Sequence, residues 1–318
     1  ALKSFEHYPY AHRLPMKMGP YTLVELLGQG GMGAVYRGYR EGGDGRRFEV
    51  AIKVVRDSVL LGSDAILIRS FSREVEVARG LAHSNVLQVQ DFGEHHGIPY
   101  VVTDLLRGES TDALIASGRL SPAQSIRLLQ GLVRGLAYMH AQEPPLVHRD
   151  VKPSNVFVTE QGDVKVVDYG LSKAVSDSSQ SGSATHGTTP YMSPERYMGR
   201  VTPAADVFAV GAVIYELMTG KRLLDGFEID PDSGRASEPS PLIVMRQAEH
   251  VEQHLLRREA CDAVDSVVAG LGTVMLKCLR KEPSARYKDC GQLEDALDPF
   301  DRRLGASLRG VARSQADR

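Results

Sequence analysis

His148-Arg149-Asp150-Val151-Lys152-Pro153-Ser154-Asn155, followed by Asp168-Tyr169-Gly170, decides how this chain reads. Between the two stretches, Val156-Phe157-Val158 and Val164-Lys165-Val166-Val167 read as short β runs joined by a Gln161-Gly162-Asp163 turn. Such a hairpin brings Asn155 and Asp168, at its outer ends, close together. Two oxygen donors at one spot suit a hard cation such as Mg²⁺, which takes few protein ligands and completes its shell with phosphate and water. Asp150 adds a carboxylate just ahead of Asn155, with Lys152 beside it. A base, a neighbouring cation and a metal pair are the parts that phosphoryl transfer needs. Three unrelated polar turns would not produce this spacing in this strand context.

The pattern resembles the catalytic loop and metal motif of the eukaryotic-type (Hanks-type) Ser/Thr protein kinases. That resemblance implies Asp150 as acceptor of the attacking hydroxyl's proton, and Lys152 steadying the transferring phosphate. It implies Asn155 and Asp168 as holders of Mg²⁺, with Mn²⁺ as an alternative. One departure stands out: Tyr169 occupies a position where the family usually has Phe, which adds a hydroxyl needing a partner if buried.

The composition agrees. With 318 residues and 42% hydrophobic residues the chain can bury a large core in two lobes. Lys+Arg 38 against Asp+Glu 40 gives no bulk-charge reason to expect nucleic acid or a membrane surface as partner. Cys261, Cys278 and Cys290 lack metal-ligand spacing and fit a reducing cytoplasm. No apolar run reaches membrane-spanning length and no signal peptide is visible, although an anchor outside the chain stays open.

Residues 1–18 have no periodicity and read as an extension lying on the first lobe. From Tyr21 a strand pattern runs into Leu27-Gly28-Gln29-Gly30-Gly31-Met32-Gly33-Ala34-Val35 and on to about Arg40. Strand, glycine turn and strand is the setting of a kinase phosphate-covering loop, whereas a dinucleotide fingerprint would open a helix. In Glu49-Val50-Ala51-Ile52-Lys53-Val54-Val55, alternation puts Ala51, Lys53 and Val55 on one face. The resemblance sets Ala51 against adenine and Lys53 on the phosphates. A helical pattern from Asp64 places Leu67, Phe71, Glu74, Ala78 and Leu81 on one stripe. Glu74 is its single charge and the natural partner of Lys53, unless the helix is misphased and Glu74 is merely solvated. Val86–Phe92 and Ile98–Thr103 read as a hairpin about His95-His96-Gly97, a solvated turn rather than a metal site. By resemblance Thr103 is the gatekeeper, Asp104 to Leu106 the adenine-binding hinge, and Phe157 a further nucleotide contact.

Ser121-Pro122-Ala123-Gln124 is a capping box opening a helix through Ile126, Leu129, Val133, Leu136 and His140. A second helix, Thr202 to Thr219, is apolar on nearly every side and belongs at a lobe's centre. The resemblance has its Asp206 bonding the catalytic-loop backbone. Residues 171–192 are rich in Ser, Thr and Gly and occupy the place of an activation segment, 168–195. Phosphate on Ser181, Ser183 or Thr185 would answer the Arg149 guanidinium and order that segment, the bland alternative being a flexible loop without regulation. By resemblance, Thr188 would bridge Asp150 and Lys152, and Glu195 would pair with Arg286. Residues 225–241 read as an insertion, and residues from 301 onward as a polar tail.

The expectation is an α+β, two-lobed kinase-like fold. A small antiparallel sheet lobe with one helix (19–103) leads through a hinge (104–108) to a mainly helical lobe (109–300). The glycine loop together with the catalytic loop looks most like the bacterial members. Implied are ATP as cosubstrate, protein Ser/Thr substrates, and self-association for phosphorylation of one copy by another. A binding scaffold without activity would lack Lys53, Asp150 or Asp168, and all three are present. A small-molecule kinase would lack the Thr188 to Glu195 segment.

Overall fold

The structure, a computed structural model, describes residues 14–30, 33–55, 75–169, 190–223 and 266–304. Gly31, Met32, Glu74, the activation-segment residues Ser181, Ser183, Thr185 and Thr188, and the 225–241 insertion lie outside them. The described chain divides into two compact units. The first holds residues up to His83 and Leu87–Leu106, the second Ser84–Val86 and the chain from Arg107, its described part resuming after Tyr169 at Pro190.

In the first unit, six antiparallel strands stand in the order β1-β2-β3-β4-β6-β5. They are β1 (Met16–Met18), β2 (Tyr21–Gly30), β3 (Gly33–Glu41), β4 (Arg47–Val55), β5 (Val89–His95) and β6 (Ile98–Asp104). Alternation along β4 sends Val50, Ile52 and Val54 into an apolar cluster with Leu23, Tyr36 and Val102, while Ala51, Lys53 and Val55 take the other face. Each fully buried aliphatic side chain contributes about 1.5–3 kcal/mol. The end of residues 1–18, read as an extension lying on the first lobe, joins the sheet through the same cluster. Met18 is fully buried with Tyr21 and Leu23, and that burial holds Met16–Met18 to β2 as an edge strand. The β5–β6 hairpin turns at His96 (φ 52°) and Gly97 (φ 80°), a tight loop with both central residues left-handed. Its first strand begins at Val89, not Val86, because Val86 instead bridges in parallel to Val166 in the second unit. Of the expected helical stripe, residues 75–79 are described as helix, and Ala78 and Leu81 are buried.

The second unit carries a three-stranded sheet, β7 (Gly108–Ser110), β8 (Val156–Thr159) and β9 (Val164–Val166). Its helices are α1 (Thr111–Ala116), α2 (Pro122–His140), α3 (Pro203–Thr219), α4 (Ser266–Cys278) and α5 (Cys290–Leu304). The capping box opens α2 as expected: Ser121 Oγ accepts the Gln124 N–H at 3.3 Å and Gln124 Oε1 accepts the Ser121 N–H at 3.0 Å. Gly131 and Gly135, one turn apart on α2, let the β8–β9 hairpin lie close. A Cβ on Gly131 would stand 2.5 Å from Val164 Cβ, and one on Gly135 would stand 2.8 Å from the Asn85 carbonyl oxygen. Asn85 fastens that hairpin, donating its amide to the Val164 carbonyl at 2.9 Å and accepting the Val166 N–H at 2.8 Å. Helix α3 is buried almost throughout and stops at Gly220, whose left-handed φ of 69° caps it. Helix α5 continues to Leu304, past the boundary expected at 300.

Candidate active site

Two backbone groups of the catalytic loop converge on α3. Asp206 Oδ2 accepts the His148 N–H at 2.6 Å, and Oδ1 accepts the Arg149 N–H at 3.0 Å. The same carboxylate meets His140 Nε2 at 3.1 Å, and His140 Nδ1 accepts the Cys290 N–H at 3.1 Å. With Nδ1 occupied as an acceptor, Nε2 carries the proton and donates to Asp206. Burial acts to raise the Asp206 carboxyl, but the hydrogen bonds it accepts from His140 and from the His148 backbone hold it below the ordinary carboxylate range. Position 206 thus does what the resemblance implied; His140, which the sequence offered only as a helical core residue, completes it.

His148 is set by the same logic. Its Nε2 donates to the Val167 carbonyl at 3.1 Å and its Nδ1 accepts the Asp150 N–H at 3.2 Å. Burial pushes the imidazole's pKa down, against the opposing pull of Asp206 and Asp150. The neutral ring therefore ties the loop to the end of β9. The Tyr169 ring packs edge-on against it, centroids 6.4 Å apart, and Tyr169 is itself buried with its phenol pushed further from ionisation by that burial. The unusual Tyr is accommodated as an aromatic wall.

Asp150 then presents its carboxylate within a fixed frame. Oδ2 lies 2.9 Å from Lys152 Nζ and accepts the Asn155 amide at 3.1 Å, while the same amide reaches the Asp150 carbonyl at 2.8 Å. Arg149 (φ 67°) and Asp168 (φ 58°) both sit in the left-handed region, Asp being among the side chains that tolerate it and Arg not. Strain of this kind persists where surrounding bonds over-determine the backbone. The Val167 N–H donates to the Asn155 carbonyl at 3.0 Å, so the two ends of the hairpin are joined beside Asp168. Asn155 and the exposed Asp168 offer two hard oxygen donors there. Among the described residues no cluster of three or more His, Cys, Asp or Glu could hold a metal. A sparse, oxygen-only pair fits a small hard divalent cation, which keeps water and phosphate in its shell.

In the first unit, Lys53 lies between Val35 on β3 and Val101 on β6, and Ala51 lies opposite Thr103. Residues directly opposite share a face, so Val35, Lys53, Ala51 and Thr103 line one surface. Ala34 does not join them: its side chain lies with Val54 in the apolar cluster. Leu27 falls within a register shift between Leu26 and Gly28, and Gly28, Gln29 and Gly30 pair with Val35, Ala34 and Gly33. The glycines differ. A Cβ on Gly33 would stand 2.1 Å from the Val54 carbonyl oxygen, whereas one on Gly28 would meet nothing within 4 Å. Gly33 is required by its neighbouring strand; Gly28 leaves open space. Asp104 is exposed and accepts the Gln90 amide, and Leu106 is half-buried at the end of this unit. Phe157, on β8 of the second unit, is half-buried between Ser110 and Lys165.

Beyond the loop, Glu195 accepts the Arg286 guanidinium at 2.6 and 2.9 Å, the pairing the resemblance implied. Two more contacts had no signal in the sequence. Tyr191 donates to Glu216 on α3, and Arg196 donates to the Arg149 carbonyl.

The protein kinase domain family matches residues 21–296. Over 291 residues the chain is 31% identical to the serine/threonine-protein kinase PrkC of Bacillus subtilis, covering 89% of this chain and 41% of that protein. It is 33% identical over 310 residues to the serine/threonine-protein kinase PknD of Mycobacterium tuberculosis, covering 92% and 42%. It is also 31% identical over 296 residues to the tyrosine-protein kinase MasK of Myxococcus xanthus, covering 89% and 43%. The chain thus spans about two fifths of the length of these curated relatives. Among solved structures, the PknI kinase domain of Mycobacterium tuberculosis superposes with a TM-score of 0.63 at 24% identity, covering 90% of this chain and 98% of that one, a likeness of fold. With its α+β architecture and its catalytic-loop residues in place, the chain belongs to the protein kinase family, among the eukaryotic-type (Hanks-type) Ser/Thr members.

Proposed function

We propose that this chain transfers the γ-phosphate of ATP to Ser or Thr hydroxyls of proteins, its own activation segment included. The observation that carries the reading is Asp150, held at once by Lys152 and Asn155 on a loop whose backbone is fixed by Asp206. Asp150 accepts the proton of the attacking hydroxyl as its oxygen bonds to the γ-phosphorus and the bond to the β–γ bridging oxygen breaks, releasing ADP. Lys152 and Lys53 supply positive charge to the phosphates, Lys53 with Glu74 as its partner. Mg²⁺ held by Asn155 and Asp168 would neutralise charge on the phosphate oxygens. Positioning and charge do most of the work, since the chemistry asks little covalent participation of the protein.

Gly28 to Val35, Ala51, Thr103, Asp104, Leu106 and Phe157 make up the proposed nucleotide contacts, and Thr188 the docking side of the substrate. Phosphate on Ser181, Ser183 or Thr185 would engage Arg149, with self-association supplying it from a second copy. The cytoplasm suits such an enzyme, since ATP is there and the thiols of Cys278 and Cys290 are buried and unpaired by disulfide.

The test is to incubate the purified chain with ATP and Mg²⁺ beside Asp150→Asn and follow intact mass. Stepwise gain of phosphate in the first sample alone is the expected result. Equal gain in both samples would remove Asp150 from its role. Alanine at positions 181, 183 and 185 together is expected to lower peptide phosphorylation; no change would remove them as regulatory sites. Lys152 favours Ser/Thr over Tyr as the acceptor, and phosphotyrosine as the main product would overturn that choice.

A further inference from the structure

We infer that Arg196 is a positioning residue for the catalytic loop, holding the Arg149–Asp150 peptide in place from the end of the activation segment. Arg149 is gripped on both sides of its Cα: its N–H, in the His148–Arg149 peptide, donates to Asp206 Oδ1 at 3.0 Å, and its carbonyl accepts the Arg196 guanidinium. That carbonyl belongs to the peptide bond leading into Asp150, and Arg149 sits at a φ of 67°, which a bulky side chain keeps only under external restraint. Asp206 fixes the amide plane that precedes Arg149, and in the plane that follows it the Asp150 N–H donates to His148 Nδ1 at 3.2 Å. The Arg196 donor on the carbonyl holds the opposite edge of that second plane, so that both of its polar groups are bonded, and with it the direction in which the Asp150 side chain leaves the chain.

Arg196 is itself anchored. It lies in a 3₁₀ turn, Pro194–Met198, closed by Gly199 with a left-handed φ of 74° and by the Gly199 N–H donating to the Arg196 carbonyl at 3.0 Å. Its neighbour Glu195 is clamped by Arg286, which also donates to the Ala204, Arg280 and Lys281 carbonyls at 2.9, 2.6 and 2.8 Å. A continuous set of bonds therefore runs from Arg286 through Glu195 and Arg196 to the residue before the base. The guanidinium is half-buried, where a charge-assisted bond to a carbonyl is stronger than in water. The inference rests on Asp150 being the base.

The experiment compares Arg196→Ala, Arg196→Lys and Arg200→Ala with the unaltered chain, by steady-state kinetics and by amide hydrogen exchange. Arg200 is exposed on the same turn and serves as control. A misplacement of about 1 Å costs about a hundredfold in rate, so Arg196→Ala is expected to lower kcat about ten- to a hundredfold with the KM for ATP unchanged. Arg196→Lys, which keeps a cationic donor, recovers part of that loss, and Arg200→Ala matches the unaltered chain. Exchange at residues 149–151 accelerates in Arg196→Ala while that of β8 does not change. Unaltered kcat and unaltered exchange in Arg196→Ala would overturn the inference and leave the kinase reading standing. A general rise in exchange across β8 and α3 would also overturn it, since Arg196 would then be merely structural. An unaltered chain that transfers no phosphate would sink the kinase reading instead, and the exchange comparison would still decide whether Arg196 holds the loop.

Discussion

Arg286 and Glu195 meet through two parallel hydrogen bonds of 2.6 and 2.9 Å, with the arginine side chain fully shielded from solvent. Removing one partner of such a pair strands the other charge without water, which costs about 3–5 kcal/mol. Arg286→Met and Glu195→Ala are therefore each expected to lose stability on that scale by urea denaturation. Arg286→Lys should not rescue it, because a single ammonium cannot reproduce the fork and also serve three carbonyls. A loss under about 1 kcal/mol, the range of exposed ion pairs, would show the pair to be decorative.

Acid should loosen the catalytic loop before it touches Asp206. The fold keeps His148 neutral by burying it, so the unfolded chain binds that proton more readily. Its contribution to stability is fully present above about pH 6.5 and is lost as pH falls below that value through the lowered folded one. Asp206, also held below its ordinary value, keeps its contribution until the pH drops below about 3.9. Denaturation at pH 7 and pH 5.5 separates the two. The unaltered chain should be weaker at pH 5.5, and His148→Gln, which cannot titrate, should show a smaller pH difference. Equal pH dependence in both proteins would remove His148 as its source.

Much of this architecture was legible because it leaves local marks. The hairpin between Asn155 and Asp168, the capping box at Ser121 and the alternation around Lys53 each occupy a few consecutive residues with their own turn chemistry or period. What was not legible lacks such marks. A three-residue edge strand such as Met16–Met18 is too short to show alternation, and only the burial of Met18 explains it. Val86 looks like any strand residue until its bridge to Val166 takes it into the other unit. The roles of His140 and Arg196 depend on single side-chain contacts across 66 and 47 positions, which no spacing rule records. Resemblance carried Asp206 and Glu195 to their partners. The geometry added what the family pattern had left unspoken: the tautomer of His140 and the two-sided grip on Arg149.

The glycine turn offers a test that separates folding from ligand binding within one motif. A methyl group on Gly33 would stand 2.1 Å from the Val54 carbonyl oxygen, so strand β3 or β4 must shift to admit it. Overpacking against backbone costs about 1–3 kcal/mol, and Gly33→Ala should lose that much stability whether or not nucleotide is present. Gly28 is exposed and its missing Cβ faces open space, so Gly28→Ala should unfold within about 0.5 kcal/mol of the unaltered chain. If that space is where phosphate approaches the backbone, the same methyl group should raise the KM for ATP severalfold. Denaturation curves and ATP titrations on the two variants decide the matter together. A Gly28→Ala protein with unchanged stability and unchanged KM would take the phosphate away from this position, leaving Gly28 as a glycine whose open side serves neither the strands nor the nucleotide.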